Sequence, residues 1–428
     1  MIRFVDPRTP ASRWLCVVSF TAVAVVIYSF YLKRFIVGLL EPGLSLDVTN
    51  KDFVNYWMAS KLALEGELQL LFVHDSYYGR LRVLFGETLP IHSWSYPPHN
   101  LLLLWPLALM SYKAAFVVFL CATFVLFAAA TALFRRTFAA EASVFFVAVA
   151  LTGFALMMVT AAQNGFLTAA LMLSGLAWMK SRPRLAGLAF ALLTIKPQLG
   201  LLIPLVLVVD RNWVTLRWTA IFTLALGITS VVTFGPECWV DYFSQTLPYQ
   251  TFVMTSWPGV FLDMMPTAFG GARALGFSAE TAAWIQAPAT VAGVAGTFYL
   301  LRREPDPLLR AFAVCAGTFL VSPYAFNYDM GALSVVAACM AGSRSNSQID
   351  RLLYAFIAVL PAGVENLGDV GLPFSPLILA IALLSLIQSR PSQNVRRQGT
   401  CALPLISPEC VRSRGGEVQH EGDRSANA

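Results

Sequence analysis

The sequence predicts an all-α polytopic membrane protein, and three observations carry that prediction. Of its 428 residues, 57% are hydrophobic and only 13% charged, with a mean hydropathy of +0.64. Such values belong to membrane-embedded bundles rather than soluble domains. The apolar residues gather in runs suited to crossing or entering a bilayer, about twelve when one broken run is counted as two arms. The basic residues sit in short clusters between those runs, almost all on one predicted side, which is how membrane orientation is set. The net charge of +6 is therefore read as a topology signal, and no nucleic-acid partner is expected.

The first run, Leu15 to Leu32, is long for a signal-peptide core and ends in Lys33-Arg34 without a small-x-small cleavage site. It is expected to be a retained anchor, with Arg3, Arg8 and Arg13 inside. A long outer loop, 33–112, follows. It contains an amphipathic stretch, DFVNYWMASKLALEG (52–66), and the apolar segment YPPHNLLLLWPLALMSY (96–112). Prolines and Ser111 leave the second too short for a full span, so it is expected to be a re-entrant or juxtamembrane helix.

Further crossings are expected near 113–134, 143–160, 165–179, two hairpin arms within 185–209, then 214–234, 284–301, 308–322, 329–342, 352–367 and 371–388. The inner loops then carry Arg135/Arg136, Lys180/Arg182/Arg184, Arg211/Arg217, Arg302/Arg303/Arg310 and Arg344/Arg351, whereas the outer side beyond residue 113 carries only Arg273. A second large outer loop covers 235–283. Residues 1–388 thus form one integral-membrane domain. From 389 to 428 the chain turns polar and Arg/Ser/Gly-rich, as expected of a disordered cytoplasmic tail.

The hairpin is argued from Lys196, which sits inside AGLAFALLTIKPQLGLLIPLVLVV (186–209). A lysine at the centre of a span costs about 2.5–3.5 kcal/mol on insertion scales, so function is its default reading. A single crossing would put the basic loops before and after it on opposite sides, against the positive-inside rule. Two arms of about a dozen residues, near 18 Å each at ~1.5 Å per residue, keep both loops inside. They also place Lys196-Pro197 at the tip, lining a sunken cavity open to the outside.

Other polar residues fall on the same outer face by this topology: Asp52 with Tyr56, Tyr96-Pro97-Pro98-His99, Gln163-Asn164, and Tyr324 with Tyr328-Asp329. A carboxylate can take a proton from a hydroxyl, a lysine and amide donors can hold a phosphate, and tyrosines offer flat apolar faces with a polar tip. Each also has a structural role available. Asp52 begins a helix that an acid would cap; Gln163-Asn164-Gly165 is a reasonable turn and cap; Asp329 would serve as the ion-pair partner of Lys196. Soluble-enzyme signatures are missing: the sequence has no Walker A loop, no GxGxxG after a strand and no HExxH. No acid-rich metal cluster is present, and neither a metal nor a cofactor is expected.

In order along the chain, DFVNYWMAS (52–60), SYPPHNLLLLWPLALMSYKAAF (95–116), QNGFLTAALMLSGLAW (163–178), RPRLAGLAFALLTIKPQLGLLIPLVLVV (182–209), RNW (211–213) and SPYAFNYDMGAL (322–333) resemble glycosyltransferase family 87. That family includes polyprenyl-phosphate-mannose-dependent mannosyltransferases, and it looks like the GT-C class of integral-membrane glycosyltransferases. The resemblance implies a GT-C-like bundle in a bacterial inner membrane with its active site facing the periplasm or exterior. It implies transfer of a hexose, as in a mannosyltransferase, from a polyprenyl-phosphate sugar donor to a lipid or glycan acceptor, with inversion. Asp52 matches the general base and Lys196 the residue near the donor phosphate. Tyr96, His99, Gln163, Asn164, Tyr324, Tyr328 and Asp329 would complete the substrate site. His99-Asn100 departs from the apolar residues common after the two prolines. A flippase or transporter of a lipid-linked or anionic solute is the alternative, since broken helices and an intramembrane lysine also serve transport.

Overall fold

The computed structural model describes residues 10–343 and 348–388, and its described residues are helical or irregular, with no strand among them. The predicted tail, 389–428, and Arg3, Arg8 and Arg344 lie outside them. Among the described residues, five helices are long and apolar enough to cross a membrane: α1 (Pro10–Leu40), α3 (Tyr112–Phe138), α4 (Val144–Ala161), α8 (Trp213–Phe234) and the run Ile349–Asp369, whose first part is α13 (Gln348–Val359). Shorter apolar helices, below the length of a full span, occupy most of the other stretches where crossings are expected: α5 (Gly165–Trp178), α6 (Pro183–Leu192), α7 (Ile203–Val209), α11 (Pro307–Val321), α12 (Gly331–Gly342) and α14 (Ser375–Gln388). The helix α2 (Phe53–Glu65) lies in the first loop, α9 (Leu247–Ser256) in the second, and α10 (Ala279–Arg303) precedes α11.

Helix α12 sits at the centre, with Gly331 through Ala341 all buried, packed against α4, α5, α11 and α13. Its sequence GALSVVAACMAG explains that position. In a bilayer, lipid is as apolar as leucine, so helices associate through close van der Waals packing, which small side chains permit. Outward faces carry the reverse pattern: Val26, Phe145, Leu224, Val232 and Trp284 are exposed, as lipid-facing positions should be.

The broken run around Lys196 is a hairpin. Two apolar arms, Pro183–Ile195 and Pro197–Val209, meet at the lysine, because Pro197 cannot donate the hydrogen bond that would continue a helix. Both feet stand at one end. The Met179 carbonyl, just before α6, accepts from Asn212 Nδ2 at 2.7 Å and Thr215 Oγ1 at 3.2 Å, just after α7. Thr137, Lys180, Asp210 and Arg310 gather at that end around a cavity of about 230 Å³, and Arg310 pairs there with Asp210. Four of the basic loops expected inside thus converge at the foot, away from Lys196 at the tip.

The segment 96–112 is neither a span nor one continuous helix. It breaks into a 3₁₀ turn (Pro98–Asn100), a four-residue helix (Leu101–Leu104) and a second 3₁₀ turn (Trp105–Leu109), with a proline at the first or second position of each 3₁₀ turn. Helix α2 buries Phe53, Val54, Tyr56, Met58, Ala59 and Leu62 against its neighbours and keeps the Lys61–Glu65 pair on its open side.

Candidate functional site

At the hairpin tip, Lys196 Nζ donates to Asp329 Oδ1 at 2.6 Å, and both side chains are almost fully buried. The other carboxylate oxygen of Asp329 accepts the Phe326 backbone N–H at 3.2 Å, which holds the loop 322–330 in a tight turn. Lys196 Nζ also lies 4.6 Å from the centre of the Tyr328 ring and 5.9 Å from that of Tyr96. Aromatic faces are attractive to a cation that has left water. Asp329 uses one of the three ammonium donors, and the lysine lines a cavity of about 160 Å³ to which the others are available.

Gly165 decides how the 322–330 loop approaches α5. A Cβ there would stand 2.0 Å from the Tyr328 carbonyl oxygen, so only glycine permits the contact. The turn before it, Gln163-Asn164, follows the left-handed end of α4 at Ala162 (φ +52°). Asn164 occupies the N-cap position of α5 without capping it through its side chain. Gln163 is buried, and its Oε1 accepts from Asn164 N at 3.1 Å, from Tyr96 Oη at 3.2 Å and from Tyr56 Oη. The two phenols lie 2.8 Å apart. Burial pushes both upward from the usual phenol range, so they remain neutral hydrogen-bond donors.

A second cavity, of about 130 Å³, adjoins the first and is lined by Asp52, Asn55, His92 and Ser93. Ser95, Tyr96, Gln163, Gln250, Tyr324, Phe326 and Tyr328 border both, so the two chambers share a wall, with Lys196 and Asp329 on one side and Asp52 on the other. Asp52 precedes α2 with helical backbone angles and makes no side-chain cap. The capping role open to it in the sequence is unused, and its carboxylate belongs to the cavity.

Seven of the nine expected site residues line the two chambers: Asp52, Tyr96, Gln163, Lys196, Tyr324, Tyr328 and Asp329. Two do not. His99 is turned away by the 3₁₀ turn that Pro98 starts. Its Nε2 lies 3.1 Å from Thr194 Oγ1 and its ring stacks on Trp239 at 5.9 Å. Burial pushes its pKa down to about 4, as for an imidazole that stays neutral inside a protein. Asn164 lines neither chamber, and its Oδ1 is buried without a partner among the described residues.

His92 and Gln250 are the residues the sequence did not single out. His92 lines the Asp52 chamber, and its Nε2 is buried with no hydrogen-bond partner among the described residues. Burial pushes its pKa down, partly offset by the Asp52 carboxylate. Gln250, on α9, accepts from Tyr324 Oη at 2.8 Å.

The fold and the site together define a helical membrane protein with a polar, two-chambered cavity at the tip of a broken-helix hairpin. Against known proteins, the profile of glycosyltransferase family 87 matches residues 94–323, more than half of the chain. The chain belongs to glycosyltransferase family 87 and is accordingly a glycosyltransferase, which takes a sugar donor and an acceptor. The matched stretch contains Tyr96, Gln163 and Lys196 and leaves Asp52, Tyr324, Tyr328 and Asp329 outside. No curated protein matches the chain, and no solved structure does.

Proposed function

We propose that this enzyme moves a hexose, mannose, from a polyprenyl-phosphate carrier to a hydroxyl of a lipid or glycan acceptor, in the bacterial inner membrane at its outer face. The bundle would follow the GT-C plan with about twelve membrane-embedded segments, the short helices and hairpin arms counted as such. The observation that carries this reading is the division of labour between two adjoining chambers, one holding a buried lysine and the other a carboxylate. In a membrane protein such a lysine marks a functional site by default, and its pairing with Asp329 uses one ammonium donor and leaves the others for an anion in the chamber.

In the proposed reaction the donor phosphate lies against Lys196, and the sugar reaches across the shared wall. The acceptor oxygen attacks the anomeric carbon from the Asp52 side while its proton passes to the Asp52 carboxylate. The bond between the anomeric carbon and the phosphate oxygen breaks, and its electron pair leaves with the phosphate. Lys196 stabilises the charge that develops there. Attack and departure on opposite faces invert the anomeric configuration, and a single carboxylate suffices because phosphate is already a good leaving group. Tyr96, Gln163, Tyr324 and Tyr328 would surround the sugar, and Asp329 would hold Lys196 in place.

The test is transfer of radiolabel from polyprenyl-phosphate mannose into an extractable product by membranes carrying the full chain, with the product's anomeric configuration read by NMR. Transfer with inversion supports the proposal. Transfer with retention would remove the single-base mechanism. Label uptake into vesicles without any new glycosidic bond would support transport instead.

A further inference from the structure

The shared wall between the chambers carries two primary amides whose orientations are set by the backbone. Gln163 Oε1 accepts from the Asn164 backbone N–H at 3.1 Å, and a backbone N–H can only donate. The carbonyl of that amide must therefore face the turn. Tyr56 and Tyr96 add further donors to the same oxygen. The Gln163 amide nitrogen is left with no partner among the described residues, in a side chain that borders both chambers.

Gln250 reaches the same wall from the opposite direction. Its Nε2 donates to the Trp94 carbonyl at 3.4 Å, and a carbonyl can only accept, so this amide too has a fixed orientation. Its oxygen accepts from Tyr324 Oη at 2.8 Å. One N–H is engaged by a long contact, and the other has no partner among the described residues. Gln250 is brought there by α9, which continues a helical run from Glu237 through a π-helical turn at Tyr242–Thr246. Pro248 lacks the N–H that a regular ladder needs, and the turn before it widens. Such π turns recur at functional sites.

We propose that Gln163 and Gln250 form an amide clamp that grips the hydroxyls of the donor sugar at the junction of the two chambers and sets which sugar is accepted. The clamp rests on the reading of Lys196 as the donor-phosphate residue and of Asp52 as the base. A sugar joined to a phosphate at one and attacked from the other has to occupy the wall they share. Hydroxyl and ring oxygens are acceptors, the complement of two amide nitrogens held in place. Phe326 and Tyr328, also on that wall and stacked at 5.0 Å, offer the flat face that a pyranose ring packs against.

The experiment compares binding of farnesyl phosphate and farnesyl-phosphoryl mannose to the full chain in lipid nanodiscs by isothermal titration calorimetry. Wild type should bind the phosphosugar about tenfold more tightly than the phosphate alone. Gln250→Met keeps the side-chain volume and removes the N–H donors. It should erase about five- to tenfold of that sugar increment and leave farnesyl phosphate binding unchanged. Tyr324→Phe releases the amide from its orienting phenol, so it should remove part of the increment, and it serves as the readout if Gln250→Met does not fold. Equal weakening of both ligands in the variants, or an intact sugar increment, would overturn the clamp. Wild type that binds the two ligands equally overturns the clamp and leaves the phosphate reading standing. Wild type that binds neither overturns the donor reading and the clamp with it.

Discussion

Replacing Lys196 by methionine removes the cation and leaves the Asp329 carboxylate, whose side chain is fully buried, without its partner. At the observed 2.6 Å, the pair's gross attraction is about 6 kcal/mol at the effective dielectric constant of ~20 that suits most protein sites. Most of that is offset by the cost of taking both charges out of water, so an apolar replacement of the whole pair is close to neutral. Removal of one partner is not. The single variant should lose about 3–5 kcal/mol of stability, with roughly 1 kcal/mol more from the lost contact with the Tyr328 ring. The double variant, Lys196→Met with Asp329→Asn, has no orphaned charge and should recover most of the thermal stability. It should recover none of the transfer activity, because the phosphate ligand is gone. Thermal unfolding and label transfer, measured on wild type and both variants in the same nanodiscs, separate the two roles. A double variant that regains both stability and transfer would show that the lysine serves the fold alone, and the phosphate assignment would be wrong.

Other consequences are checked more simply. Gly165→Ala forces a methyl group into the Tyr328 carbonyl. It should lower the unfolding temperature and displace the 322–330 loop, with transfer reduced at least tenfold, about 1.4 kcal/mol in barrier terms; unchanged activity would contradict the close approach. His99, pushed by burial down to about 4 from the ordinary histidine value of about 6.5, makes the folded state bind fewer protons than the unfolded chain in that interval. Stability is therefore full above pH 6.5 and falls toward pH 4, by up to about 3 kcal/mol. His99→Gln should flatten this part of the pH–unfolding curve. Asn212 caps α8 by accepting from Thr215 N and ties the hairpin foot to Met179. Asn212→Ala should cost about 1–2 kcal/mol while the affinity for farnesyl phosphate, bound at the far end of the hairpin, stays the same.

Much of the arrangement was legible because lipid restricts what a sequence can do. A lysine followed by proline within an apolar run has few solutions in a bilayer, and the hairpin with Asp329 beside Lys196 is one of them. The gathering of Lys180, Asp210 and Arg310 at the foot follows from the same charge bias that the loops display. Short-range signals were less faithful. Asp52 stands where a cap would be expected yet leaves its helix uncapped. His99, next to two prolines, turns toward Thr194 and Trp239. Whether a side chain in 96–100 enters the cavity depends on how tightly the backbone winds after Pro97, and a 3₁₀ turn was not written in the apolar pattern. His92 and Gln250 lie in IHSWS and LPYQT, stretches without periodicity or charge contrast. Their place in the site comes from the packing of two long loops against each other. Pro248, two residues ahead of Gln250, was the one local hint, since it breaks a helical ladder within a long loop.

The most direct test of the account is sugar transfer from polyprenyl-phosphate mannose by wild type, Asp52→Asn and Asp52→Glu at matched protein level, with farnesyl phosphate affinity measured in parallel. The account predicts that Asp52→Asn keeps the affinity and loses transfer by about a hundredfold or more, as expected for loss of a general base. Asp52→Glu should retain a measurable fraction. Equal transfer by wild type and Asp52→Asn would contradict the assignment of the base and, with it, the two-chamber mechanism.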